Sequence, residues 1–201
     1  CWVDNDRPRG ESMIITYASE ENQQAILDLE QVIFNDMELA VYDELTVTEV
    51  QNAWQIAVRQ SDKSRYHYSR AIVAKDNEGL LLGVLFGYPD TDEPILDEAV
   101  QNVLADKYSY HRWLFSDSEV FENEWYIDSI VVASYARGQG IGKALIAAAS
   151  NHAQQEGHQL IGLNVDDSNP RAQKLYERSG FKAVGRLKIG AHVYTHMQKQ
   201  L

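Results

Sequence analysis

The residues best placed to do chemistry form the run Arg137-Gly138-Gln139-Gly140-Ile141-Gly142-Lys143. Glycines let a backbone approach a ligand closely and adopt positive φ. Successive N–H groups at a helix start make a nest for phosphate, and the helix dipole favours negative charge there. Arg137 and Lys143 add positive charge. Two familiar phosphate motifs fail on spacing. A Walker loop needs G-x-x-x-x-G-K-[ST], but Arg137 stands five places before Gly142 and Ala144 follows Lys143. A dinucleotide fingerprint, G-x-G-x-x-G, would need glycine where Lys143 stands. A tight strand-to-helix connection that binds nothing is the plainer alternative.

A second constellation runs from Asn164 to Phe181. Asn169 suits an N-cap, Pro170 the first helical position and Gly180 the stop. Ala172, Leu175 and Tyr176 share a face of that helix, so spacing alone leaves Tyr176 a core residue. A third group is carboxylates: Glu124 and Asp128 alternate with Tyr126, Ile130 and Val132 on one face of an expected strand over residues 124–132.

The elements that must position these groups follow from periodicity. Strands are expected at 13–17, 70–75, 80–88, 124–132, 160–165, 181–186 and 191–198. Helices are expected at 20–40, from Thr46 or Thr48 to about 59, at 141–156 and at 170–179. The stretch 89–122 reads as irregular, rich in acids and aromatics, with a short helix allowed at 95–105. The order gives one mixed, twisted α/β domain over 13–201, about seven strands flanked by about four helices. Residues 1–12 read as a leader or upstream extension, polar and without a signal-peptide core, so the expected setting is cytoplasmic.

Composition narrows the classes. Apolar residues at 44% and charged residues at 24% fit a globular domain, with no apolar run of membrane-spanning length. The net charge of −12 argues against nucleic-acid or anionic-membrane partners. Charge is segregated: residues 89–128 carry −9 and residues 129–201 carry +5. One cysteine and scattered histidines give no metal site; His192 and His196 alone share a strand face.

Taken together, residues 124–186 resemble the GCN5-related N-acetyltransferase (GNAT) family. The family's [Q/R]-x-x-G-x-[G/A] motif is matched by Arg137, Gly140 and Gly142. Its later motif is matched by Asn169, Leu175, Tyr176, Gly180 and Phe181. The family often has proline shortly before the arginine motif; Ala133 or Ser134 stands there instead. The resemblance implies acetyl-CoA as donor and an amine as acceptor. It implies that the Gly138, Gln139, Gly140, Ile141, Gly142 and Lys143 backbone, with Arg137, holds the diphosphate. Ile130, Val131 and Val132 would pair with the pantetheine arm, with Asn164 and Asn169 nearby. Tyr176 becomes the acid for the departing thiolate, and Glu124, then Asp128, the candidate base.

These parts suit the chemistry. A lysine-like amine has a pKa of about 10.4 and must lose a proton before attack. A fixed N–H stabilises the developing oxyanion by about 3 kcal/mol. The basic C-terminal third suits polyanionic CoA, and the acidic, aromatic stretch suits a cationic amine. The alternatives for that stretch and for the whole chain are a solubilising acidic loop and a non-catalytic acyl-CoA sensor. A homodimer is compatible with the reading, though no motif marks one.

Overall fold

A computed structural model describes residues 13–37 and 39–201; the expected leader at 1–12 lies outside them. The chain runs β1 (Ile14–Tyr17), α1 (Gln23–Asp36), α2 (Val47–Gln60), β2 (Ala71–Lys75), β3 (Leu81–Pro89), α3 (Glu98–Tyr108), β4 (Trp125–Val132), α4 (Ile141–Gln155), β5 (Leu160–Asp166), α5 (Pro170–Arg178), β6 (Lys182–Ile189) and β7 (His192–Gln200). One seven-stranded sheet has the order β1-β2-β3-β4-β5-β7-β6. Every pairing is antiparallel except β4 with β5.

Local chemistry explains most boundaries. Thr46 caps α2 through a capping box: its backbone N–H donates to Glu49 (2.8 Å) and its hydroxyl accepts from the Glu49 N–H (3.3 Å). The β2–β3 turn closes on Asp76, whose carboxylate accepts from the N–H groups of Glu78 and Leu80. Strand alternation sorts the core into two layers. Ala71, Val73, Val84 and Phe86 pack with α1, α2 and α3 on one face; Ile72, Ala74, Leu82 and Leu85 pack with α4 on the other.

Three expectations need correction. The single helix expected at 20–40 is a 3-10 turn at 20–22, then α1, then another 3-10 turn at 40–43. Within the stretch 89–122 the helix allowed at 95–105 forms as α3, shifted to Glu98–Tyr108, so the described residues hold five α-helices where about four were expected. The remaining loop is pinned by its own acids, each accepting from a backbone N–H: Asp90 from Asn123, Glu93 from Glu119, Glu124 from Phe121, and Asp117 from Gly190. Third, β4 does not alternate evenly. Opposite β3, Phe86 pairs with Ser129 and Gly87 with Ile127, so Asp128 is the extra residue of a bulge. Past it the phase flips: Ser129 and Val131 face α1, while Ile130 and Val132 pack with the α4 layer. No described helix is long and apolar enough to cross a membrane.

Candidate active site

β4 and β5 stay paired only over Trp125–Ile161, Tyr126–Gly162 and Ile127–Leu163. Beyond the Asp128 bulge they part, and a cavity of about 640 Å³ opens between them. One half is main chain. Ile130, Val131 and Val132 present the edge of β4 that β5 has left, and Asn164, Val165 and Asp166 line the opposite wall. A ligand with an extended, amide-bearing arm can take the place of the missing strand.

That edge runs into the glycine turn. Gly138 and Gly140 hold φ of +80° and +81°, where side chains are rarely tolerated, and open space surrounds the place a Cβ would occupy. Gly140 begins α4. The first helical bond runs from the Ala144 N–H to the Gly140 carbonyl (3.1 Å), so the N–H groups of Ile141, Gly142 and Lys143 precede it and are available to an anion. Arg137 and Gly142 line the cavity. Gly142 also lets α5 approach, since a Cβ there would lie 3.3 Å from Leu175 Cδ2. Ile141 is different: its side chain is buried beneath Gly83. Gly138, Gln139 and Gly140 form the turn itself and Lys143 lies in the first turn of α4; none of the four lines the cavity. The sheet edge and turn therefore fit a long ligand with an amide arm and a phosphate group.

α5 supplies the third wall through Asn169, Ala172, Leu175 and Tyr176. Asn169 caps α5, its Oδ1 accepting from the Ala172 N–H (3.1 Å), which leaves its amide nitrogen for a ligand. Tyr176 packs edge-on against Phe181, and burial pushes its phenol up to about 12. The hydroxyl therefore keeps its proton at neutral pH.

The other half of the cavity is built from charged side chains. Arg65, 4% exposed, donates to both oxygens of Asp97 (2.8 and 2.7 Å), to the Tyr88 hydroxyl (3.0 Å) and to Asp128 (2.5 Å). Burial raises the Asp128 pKa and Arg65 pulls it back. Glu119 faces the same space, and burial pushes it up to about 7, with Asp128 adding repulsion. Glu30, fully buried behind Ser129, accepts from the Ser129 hydroxyl (2.9 Å) and is pushed up to about 8 by burial. Val32, Ile33, Met37 and Phe115 form an apolar wall beside these groups.

Of the two candidate bases, Asp128 lines the cavity and Glu124 does not. Glu124 is fully buried. It accepts from the Phe121 N–H and from Gln198 Nε2, both at 2.8 Å, and shares a 2.9 Å contact with His196 Nε2. Gly162 is glycine because a Cβ there would collide with this carboxylate. Standing one residue before β4, where β4 and β5 are still paired, Glu124 lies against Gly162 of β5 and bonds to His196 and Gln198 of β7 instead of entering the opening. Nothing in the sequence singles out Arg65 or Glu119, and Tyr126 is placed on the strand face without a role. They come from three separate segments and belong to no local motif.

Comparison with known proteins agrees with this geometry. A model of the acetyltransferase (GNAT) family matches residues 24–181. An acetyltransferase of Agrobacterium fabrum is 39% identical over 62 residues, 31% of this chain and 44% of its own. The mycothiol acetyltransferase of Kocuria rhizophila is 48% identical over 46 residues, 23% of this chain and 15% of its own. The chain thus matches less than half the length of these curated relatives. Among solved structures, one described as an acetyltransferase superposes with a TM-score of 0.82 at 39% identity, covering 93% of this chain and 98% of that one. An N-acetyltransferase from Staphylococcus aureus Mu50 superposes with a TM-score of 0.80 at 25% identity, covering 92% and 99%. The parted strands, the glycine turn and the matching family model together place this chain in the GNAT family of acetyltransferases.

Proposed function

We propose that the chain moves an acetyl group from acetyl-CoA to a primary amine carried by a cationic acceptor. The observation that carries this reading is a single cavity with a backbone cradle at one end and a surplus of carboxylates at the other. Around the acceptor end Asp97 and Asp128 share one guanidinium, that of Arg65, and the Glu119 carboxylate stands beside them bonded to the Tyr126 hydroxyl. Such a surplus of buried negative charge favours a bound cation.

Acetyl-CoA supplies the activated acyl group. The free edge of Ile130–Val132 orients the arm, and an N–H there stabilises negative charge growing on the carbonyl oxygen. The N–H groups at the start of α4, with Arg137, hold the phosphates. Tyr176, still protonated, donates its proton to the departing sulfur. The carboxylates of the acceptor end bind the ammonium and accept its proton. Val32, Ile33, Met37 and Phe115 pack against the carbon skeleton of the acceptor.

Thiol release from acetyl-CoA against polyamines, aminoglycosides, amino acids and short peptides tests the reading. Turnover is expected with cationic amines, and Tyr176→Phe should lower kcat about 100-fold or more while CoA still binds. Tight CoA binding with no thiol release from any amine would instead support an acyl-CoA sensor.

A further inference from the structure

Five polar side chains form a continuous hydrogen-bonded chain from the sheet interior to the cavity: Glu124, His196, Asn164, Tyr126 and Glu119. Its direction can be worked out atom by atom. Asn164 Nδ2 lies 2.8 Å from the Glu119 backbone carbonyl, which can only accept, so the amide nitrogen must face it. Asn164 Oδ1 therefore faces His196 Nδ1 (2.6 Å), and that ring nitrogen must carry a proton. The second Asn164 N–H donates to the Tyr126 oxygen (3.0 Å). The Tyr126 proton is then free to point only onward, to Glu119 Oε2 (3.0 Å).

The interior end is equally fixed. His196 is fully buried, stacked on Phe121 at 3.8 Å, and its Nε2 shares a proton with Glu124. The ring can neither turn nor exchange its role without breaking both contacts.

We propose that Glu119 is the carboxylate that takes the acceptor's proton, held in position by a hydroxyl that Asn164 and His196 aim at it. This rests on the acetyl-transfer reading above and assigns its base. Asp128 is the competing group on the same cavity wall. Its charge is committed to Arg65 at 2.5 Å, and protonating it would break that pair. Among the described residues Glu119 has no guanidinium contact and its carboxylate holds only the Tyr126 hydroxyl, so it gains a proton at less cost. The charged and titratable groups around it are Asp128, Tyr126, Arg65, Glu93, Tyr88 and Tyr194. Burial and the negative charge of Asp128 raise its proton affinity; Tyr126 and Arg65 lower it. The net position, about 7, suits a base that must be ionised to act and protonated to pass its proton on.

The step balances as follows. An ammonium proton moves to Glu119 and then to solvent. The nitrogen lone pair forms the new C–N bond as the C–S bond breaks. The nitrogen's second proton leaves for solvent, Tyr176 gives its proton to the sulfur and takes one back from solvent, and one proton is released overall.

The test is the pH dependence of kcat/KM in four proteins: the parent, Glu119→Gln, Asp128→Asn and Tyr126→Phe, each checked for acetyl-CoA binding. Glu119→Gln keeps an acceptor for the Tyr126 hydroxyl, so its fold and acetyl-CoA affinity should hold. Its kcat/KM should fall about 100-fold or more, and the loss of rate on the acid side of neutrality should disappear. Tyr126→Phe should remain active with that acid limb moved up by about half a pH unit or more, since Glu119 loses the bond that favours its charge. A Glu119→Gln enzyme with parental rate and an unchanged acid limb would overturn the proposal and leave acetyl transfer standing. So would an acid limb removed by Asp128→Asn and kept in Glu119→Gln. A parent that releases no thiol with any amine would overturn the acetyl-transfer reading and this assignment together.

Discussion

From Ile130 to Val132 the cavity wall is an unpaired strand edge, and it runs on into a turn with two glycines at positive φ and the opening N–H groups of a helix, so this half of the site is main chain. Across the same opening, around Arg65, Asp128 and Glu119, the wall is side chain: Arg65 is held by Asp97 and Asp128, and Glu119 by the Tyr126 hydroxyl. The contrast teaches how each half should respond to change. A backbone wall tolerates most side-chain replacements and fails where φ is disturbed. A wall of buried charges fails when any one charge is lost, because its partner is left unpaired.

The largest expected effect lies in the charged half. Arg65→Ala leaves Asp97 and Asp128 buried without their cation, and urea unfolding should show a loss of about 3–5 kcal/mol. Glu30 comes next. Its pKa is about 8 in the fold against 4.5 for the ordinary side chain, so the folded state holds its proton more tightly. The stability this gives is complete below about pH 4.5 and is lost as pH rises through about 8, by a few kcal/mol. Glu30→Gln should flatten that decline in the melting temperature; a parallel decline in both proteins would remove Glu30 as its cause. In the backbone half, Gly140→Val forces a β-branched residue to φ +81°. It should cost about 1–2 kcal/mol of stability and weaken CoA binding, read by titration calorimetry. Smallest is Arg137→Ala: an exposed charge whose removal should weaken CoA by no more than about 1 kcal/mol, and less at high salt.

The same contrast explains what the sequence reveals. Gly138 and Gly140 stand where a turn demands positive φ, and Asn169, Pro170 and Gly180 bracket a short helix, so the backbone half is spelled out locally. Glu119 is held by Tyr126 seven residues away, but that bond gains its direction from Asn164 and His196, 45 and 77 positions on. No periodicity marks such a chain. Glu124 shows the converse. Its place on the strand suggests a cavity-facing carboxylate under simple alternation, but Glu124 lies against Gly162 where β4 and β5 are still paired, and the point at which the two strands part leaves no mark in an unaligned sequence. The acids of the loop before β4 were legible as charge, while their service as acceptors for that loop's own N–H groups depends on the folded path.

The parted strands carry a consequence for the chain's life in a cell. A sheet that lacks a strand over Asp128–Val132 holds, in its centre, the kind of raw edge that proteins otherwise hide at their periphery. Whatever fills that edge completes the sheet, so the free energy of unfolding rises with the logarithm of the filler's concentration. The supply of the small molecule thereby enters the protein's own survival: a starved cell would hold a looser, shorter-lived molecule, and a well-fed one a molecule closed along its middle.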